Sequence, residues 1–267
     1  MVEATITGVD RGTLTSDRNF HVEAETVATA ENPTATVERR ETPVFNLVVE
    51  HPEGTILVDT GSHPEAGDGH WPAELYSTFE HADAAQHPLD GALADAGYEL
   101  GDIDYVFQTH LHVDHAGGLH NFAGTDTPVF VHEDELKFAY YSAATEEGST
   151  GYVQADFDHD LNWQVVGRDR ARFFEDVDFL RLPGHSPGLM GLMLHLDGYG
   201  TLLFTSDVVE VAANYEREHP PGPGLLRDRL AWKDSIRRLK NLERRHDAEV
   251  IYGHDPDQID RILDGWP

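Results

Sequence analysis

The residue types with the most chemistry in this sequence lie close together. His110, His112, Asp114 and His115 fall within six positions, and Gly117-Gly118 follows them. Imidazole and carboxylate ligands with no thiolate suit Zn2+, and also Mn2+, Fe2+ or Co2+. In an extended segment side chains alternate with period two, so His110 and His112 point the same way and reach one metal. Asp114 and His115 come after the chain turns and can reach a second metal beside the first. One stretch cannot complete two sites. The remaining ligand candidates are His185 in Pro183-Gly184-His185-Ser186-Pro187-Gly188, Asp207 in Ser206-Asp207, and His254 in Gly253-His254-Asp255.

These candidates share a setting, the end of a short apolar run. Ile103–Phe107 reads as a buried strand that stops just before the first cluster. Val177–Leu182 alternates as a strand and leads into His185. Leu189–Leu196 and Thr201–Thr205 read as a hairpin around Asp197-Gly198 that delivers Asp207. Val250–Tyr252 is a last strand before His254. Singly, His185 and His254 fit structural histidines, the commoner case; their repeated place at strand ends beside glycine favours ligands. Gly117-Gly118 lets backbone pass closely, without a Cβ clash.

Elsewhere, 43–49 and 55–59 predict a hairpin whose return strand ends in Asp59-Thr60-Gly61, either an active-site edge or a plain tight turn. Residues 62–87 are irregular, and Trp71, Leu75, Tyr76 and Phe79 are expected either to line a substrate mouth or to face inward from a short helix. Helices are expected over 89–96, 133–141 and 228–246, the last amphipathic and arginine-rich. Val129–Val131 is a short strand. Residues 1–40 are mixed with β-like stretches, and 142–160 have no clear pattern.

The 267 residues are read as one domain, with no linker-like tract, repeat or low-complexity block. No signal peptide, membrane-length apolar run or cysteine is visible, which predicts a cytoplasmic protein without membrane attachment. Asp and Glu total 49 against 19 Lys and Arg, for a formal charge of −30. Only Lys137, Lys233 and Lys240 are lysine. At molar salt the Debye length is about 3 Å, so self-repulsion is screened. The composition is read as a halophilic adaptation, and the lack of a basic stripe excludes a nucleic-acid partner.

The segments 56–61 (ILVDTG), 109–118 (THLHVDHAGG), 182–188 (LPGHSPG), Asp207 with Asn214-Tyr215-Glu216, 235–240 (SIRRLK) and 251–255 (IYGHD) run in an order that resembles the metallo-β-lactamase-fold hydrolases. The spacing is most similar to the N-acyl homoserine lactonase family. The resemblance implies an α+β fold, an αββα four-layer sandwich with a dinuclear centre at one edge of the two sheets. It implies that His110, His112 and His185 hold one metal, that Asp114, His115 and His254 hold the other, and that Asp207 bridges them. The family carries a tyrosine three residues after the bridging aspartate; here Glu210 stands there.

The expected activity is opening of a lactone ring by a hydroxide bridging two divalent ions, with a small-molecule substrate. Asp114 is the expected proton shuttle to the leaving alkoxide, and Val113 and Trp71 are expected to contact substrate. If protonated, Glu210 takes the tyrosine's place as hydrogen-bond donor; if ionised, it turns outward, binds metal through water, or selects a substrate with a donor group. A related hydrolase acting on a thioester, ester or phosphodiester is the alternative. A non-hydrolytic metal or redox protein is a third reading, disfavoured because no flavin or electron-carrying domain has room. The oligomeric state, a homodimer among the options, is left open.

Overall fold

The computed structural model describes residues 3–145 and 147–267. Eleven strands form two sheets among the described residues. The first has the order β1 (Thr5–Asp17), β2 (Arg39–His51), β3 (Gly54–Val58), β4 (Tyr105–Phe107), β5 (Pro128–His132) and β6 (Asn162–Val166). The second has the order β11 (Glu249–Ile251), β10 (Gly200–Phe204), β9 (Met190–Leu196), β8 (Val177–Arg181) and β7 (Arg170–Phe174).

Period-two alternation decides what lies between the layers. Leu47, Val49, Ile56, Val58 and Phe107 of the first sheet meet Phe179, Leu192, Leu194, Leu202, Phe204 and Ile251 of the second in one buried core. The intervening residues Val48, Leu57, Val106, Val129 and Val131 face the other way, onto Leu89, Ala92 and Leu93 of helix α1 (Leu89–Asp95) and Ala139 of helix α2 (Glu133–Thr145). On the far side of the second sheet, Met193, Leu203 and Val250 pack on Trp232, Ile236 and Leu239 of helix α3 (Arg229–His246). Both faces of each sheet are therefore buried, and the layering is α, β, β, α. Helix α3 starts where Asp228 caps it, its carboxylate accepting from the Leu230 and Ala231 amides at 2.9 and 3.0 Å.

The central elements lie where the apolar patterns put them. Three strands carried no clear pattern. In β1 the ladder slips between Asp10 and Thr13, and this bulge breaks the alternation. Strands β6 and β7 lie at the sheet edges, half exposed, with charged and polar side chains that suit an edge.

Candidate metal centre

β3 and β4 run parallel, as do β10 and β11, and β8 and β10 both run antiparallel to β9. The C-terminal ends of β4, β8, β10 and β11 deliver His110–His115, His185, Asp207 and His254, and these side chains converge. His110, His112 and His185 form one cluster, and Asp114, His115, Asp207 and His254 another, with ligand atoms of each within 4.8 Å of one another. Asp207 faces both clusters. Its Oδ1 lies 3.3 Å from Nε2 of His115 and of His254, and its Oδ2 lies 3.8 and 3.7 Å from Nε2 of His110 and His185. Asp114 Oδ2 is 3.5 Å from both His115 and His254 Nε2.

The hydrogen bonds behind the rings show what this arrangement fits. His185 and His254 donate Nδ1–H to the Leu225 and Pro43 carbonyls, both at 2.8 Å. The neutral His254 ring so fixed aims its Nε2 lone pair at the Asp207 carboxylate, which is repulsive unless a cation or a proton lies between, and His185 Nε2 lies 2.8 Å from His112 Nδ1, two ring nitrogens turned to one point. Nε2 of His110 and of His115 is buried with no hydrogen-bond partner. Metal–ligand bonds are about 2.0–2.2 Å, so two ligands on one tetrahedral ion lie roughly 3.3–3.6 Å apart, close to the spacings around Asp207. The residues fit two divalent cations, with Asp207 offering one oxygen to each. In the metal-free protein burial opposes charge on His254, but Asp207, Glu210 and Asp114 outweigh it and push its pKa up to about 10. The same opposition holds His115 well above the usual imidazole range.

Two carboxylates outside the ligand set hold the loops. Asp59 follows β3 with a left-handed backbone, φ 59°, a strained position for a side chain other than glycine. Its oxygens accept from the Thr109 amide and hydroxyl at 2.7 Å each and from His115 Nδ1 at 2.8 Å. Glu135 opens helix α2 and is fully buried. Its Oε1 accepts from Leu111 N and the Tyr152 hydroxyl at 3.1 and 2.8 Å; its Oε2 accepts from the Ser186 hydroxyl and Gly188 N at 2.5 and 3.2 Å. It thus joins the loop of His110 and His112 to the loop of His185. Gly117 permits the close packing behind the centre, since a Cβ there would meet the His63 backbone nitrogen at 2.1 Å.

A cavity of about 970 Å³ opens onto the centre, lined by Asp114, Asp207, His112, His185 and His254, and also by Val113 and Glu210. Glu210 is buried, not turned outward: its Oε1 lies 3.6 Å from His185 Nδ1 and its Oε2 3.4 Å from His21 Nδ1. Without cations, burial and then the Asp207 charge push its carboxyl up to about 8, against the pull of His254 and His185. Trp71 is a correction to the sequence reading. It is 1 % exposed and absent from the cavity wall, packed in a core with Leu14, Val44, Ala66 and Leu75. The ring is too large and apolar to stay at the rim when that core can enclose it; Leu75 and Phe79, from the same segment, form the wall instead. The segment 149–154, patternless in sequence, forms another part of the wall.

The family model described as the metallo-beta-lactamase superfamily matches residues 39–254, and the chain belongs to that superfamily and, within it, to the N-acyl homoserine lactonases. It is 30 % identical to N-acyl homoserine lactonase AiiB of Agrobacterium fabrum over 96 % of this chain and 95 % of the relative. It is 32 % identical to N-acyl homoserine lactonase AiiA of Bacillus thuringiensis subsp. kurstaki, over 81 % and 82 % of the two chains. A solved N-acyl homoserine lactone hydrolase, with N-hexanoyl-L-homoserine bound at its catalytic metal centre, superposes with a TM-score of 0.82 at 26 % identity, covering 98 % of this chain and 97 % of that one.

Proposed function

We propose that this chain opens the lactone ring of N-acyl homoserine lactones, as its relatives are named for doing. The observation that carries the reading is the pairing of a convergent His/Asp centre with a cavity whose described lining includes no lysine or arginine. Two cations serve the reacting group of any of these substrates, but a nucleic-acid phosphodiester or an anionic thioester carries further negative charge that calls for basic side chains along the cavity. An uncharged acyl-lactone does not, and it gains from the apolar wall of Leu14, Phe20, Leu75, Phe79, Val113 and Leu225.

When bound, two divalent ions, zinc in this reading, activate a water and polarise the lactone carbonyl. The rest falls to the chain. Asp207 holds the two halves of the centre in register, one oxygen toward each. The carbonyl carbon gains the water oxygen and loses the ring oxygen, which takes up a proton; Asp114, whose carboxylate borders the cavity, carries that proton in this reading. Val113 and Leu225 hold the acyl chain away from the ligands.

We further propose a cytoplasmic setting of high salt, which the charge of −30 and the scarcity of lysine support. No helix among the described residues is long and apolar enough to cross a membrane. A panel of acyl-lactones, thioesters and phosphodiesters, assayed with metal in molar salt, tests the function. Turnover of the lactones supports it, and turnover confined to either other class sinks it.

A further inference from the structure

Glu210 stands three residues after Asp207, and the reaction above gives it no task. Its backbone is tied to the loop of another ligand: the His254 amide donates to the Glu210 carbonyl at 2.9 Å, and the Gly253 amide to the Val209 carbonyl at 2.8 Å. The side chain is 2 % exposed and borders the cavity. Among the described residues its carboxylate meets no lysine or arginine; its ion-pair neighbours are the rings of His21 and His185. The His185 proton is already given to the Leu225 carbonyl. A carboxylate buried this deeply needs a cation beside it.

Two observations put that cation in the centre already described. Ligand atoms of His185, Asp207 and Glu210 lie within 4.8 Å of one another, the same spacing that gathers the two His/Asp clusters. Glu210 Oε1 is also buried without a hydrogen-bond partner, a condition it shares with Nε2 of His110 and of His115. Buried polar atoms are ordinarily paired, and an orphan among metal ligands has an ion as its natural partner. Such an atom needs no contact with water.

We propose that Glu210 is an eighth ligand of the metal centre, giving the ion held by His110, His112 and His185 a carboxylate oxygen in addition to that of Asp207. The inference rests on the two-cation reading of the centre and not on the identity of the substrate. With Asp114 and Asp207 it sets three carboxylates, instead of two, against the two dications. Three imidazoles, an Asp207 oxygen, a water and a Glu210 oxygen make six donors at that ion. Mn2+, Fe2+ and Co2+ accept six such donors readily, whereas Zn2+ favours four and at times five. Zn2+ still binds, but Glu210 narrows its margin over the harder ions.

The test needs no substrate. Metal-free parent, Glu210→Gln and Glu210→Leu are loaded with Co2+, and chelator competition in molar salt gives their Mn2+ and Zn2+ affinities. Co2+ with six donors absorbs faintly in the visible, and with fewer donors strongly. Both variants are expected to raise the absorbance of the Co2+-loaded protein about twofold or more. Mn2+ affinity is expected to fall at least tenfold, and Zn2+ affinity by a smaller factor. Thermal melts without metal establish that each variant is folded. An unchanged Co2+ spectrum in both variants overturns the proposal whatever the affinities do, because a residue acting only through His185 loosens the ion without changing its donors. An intense four-coordinate spectrum for both ions of the parent overturns it without any variant. A folded parent that binds no metal overturns the two-cation reading itself.

Discussion

Glu135 makes no contact with the reacting groups, yet its removal is expected to empty half of the metal centre. The carboxylate is fully buried and takes four hydrogen bonds, two from the segment running from Leu111 to Tyr152 and two from the loop around His185. Glu135→Ala leaves all four donors without an acceptor in a place water does not reach. Breaking one side of a buried charged network costs about 3–5 kcal/mol. For a chain this size that lowers Tm by roughly 6–20 °C. Glu135→Gln keeps the shape, but its amide nitrogen then faces two donors, and a backbone N–H cannot turn away; an intermediate loss is expected. The loops Glu135 joins are those of His110, His112 and His185, so the metal on these residues is expected to loosen by about 10- to 100-fold while the other holds. Metal analysis after dialysis against a graded chelator, with a thermal melt in the same molar-salt buffer, reads both effects. Glu135→Ala protein that keeps both metals and melts within about a degree of the parent refutes the reasoning.

Asp59→Ala is expected to act on the other half: His115 loses its Nδ1 acceptor and Thr109 loses two, so the metal of Asp114, His115 and His254 leaves first, as the same chelator series shows. Metal binding at pH 7 is expected to release protons, because His254, raised to about 10, and His115 are charged until a cation displaces the proton. Calorimetry in buffers of different ionisation enthalpy measures that release, and apparent affinity weakens as pH falls. The sign reverses for stability of the metal-free chain: the stabilisation from a raised His254 is complete below its unfolded value, about 6.5, and disappears as pH rises toward its folded value. Metal-free Tm is therefore expected to fall between pH 7 and pH 10, and a Tm that climbs over that range contradicts the charged pair. With 49 acidic and 19 basic residues, Tm is expected to rise steadily from low to molar salt, and a flat melt series argues against salt adaptation.

The ligand loops were legible because a metal site built on strand ends leaves a local mark: a short apolar run, then His or Asp beside glycine. His110, His112, Asp114, His115, His185, Asp207 and His254 all carry it. The groups that aim these ligands carry none. Glu135 reads as an ordinary acidic residue in the first turn of a helix, and Asp59 as part of either an active-site edge or a plain tight turn, with nothing to show which partners it holds. Their partners lie 17 to 56 residues away along the chain, and only the fold brings them together. Trp71 shows the opposite limit, since an aromatic in an irregular segment fits a rim or a core, and packing decides.

The account depends most on two cations acting together in the opening of a lactone. Metal-free chain in molar salt, titrated with Zn2+ while proton release from N-hexanoyl homoserine lactone is followed in a pH-stat, tests this directly. The rate is expected to stay low through the first equivalent, rise through the second and level off at two per chain. A rate that saturates at one equivalent, or ring opening that proceeds equally in metal-free protein, contradicts the dinuclear reading.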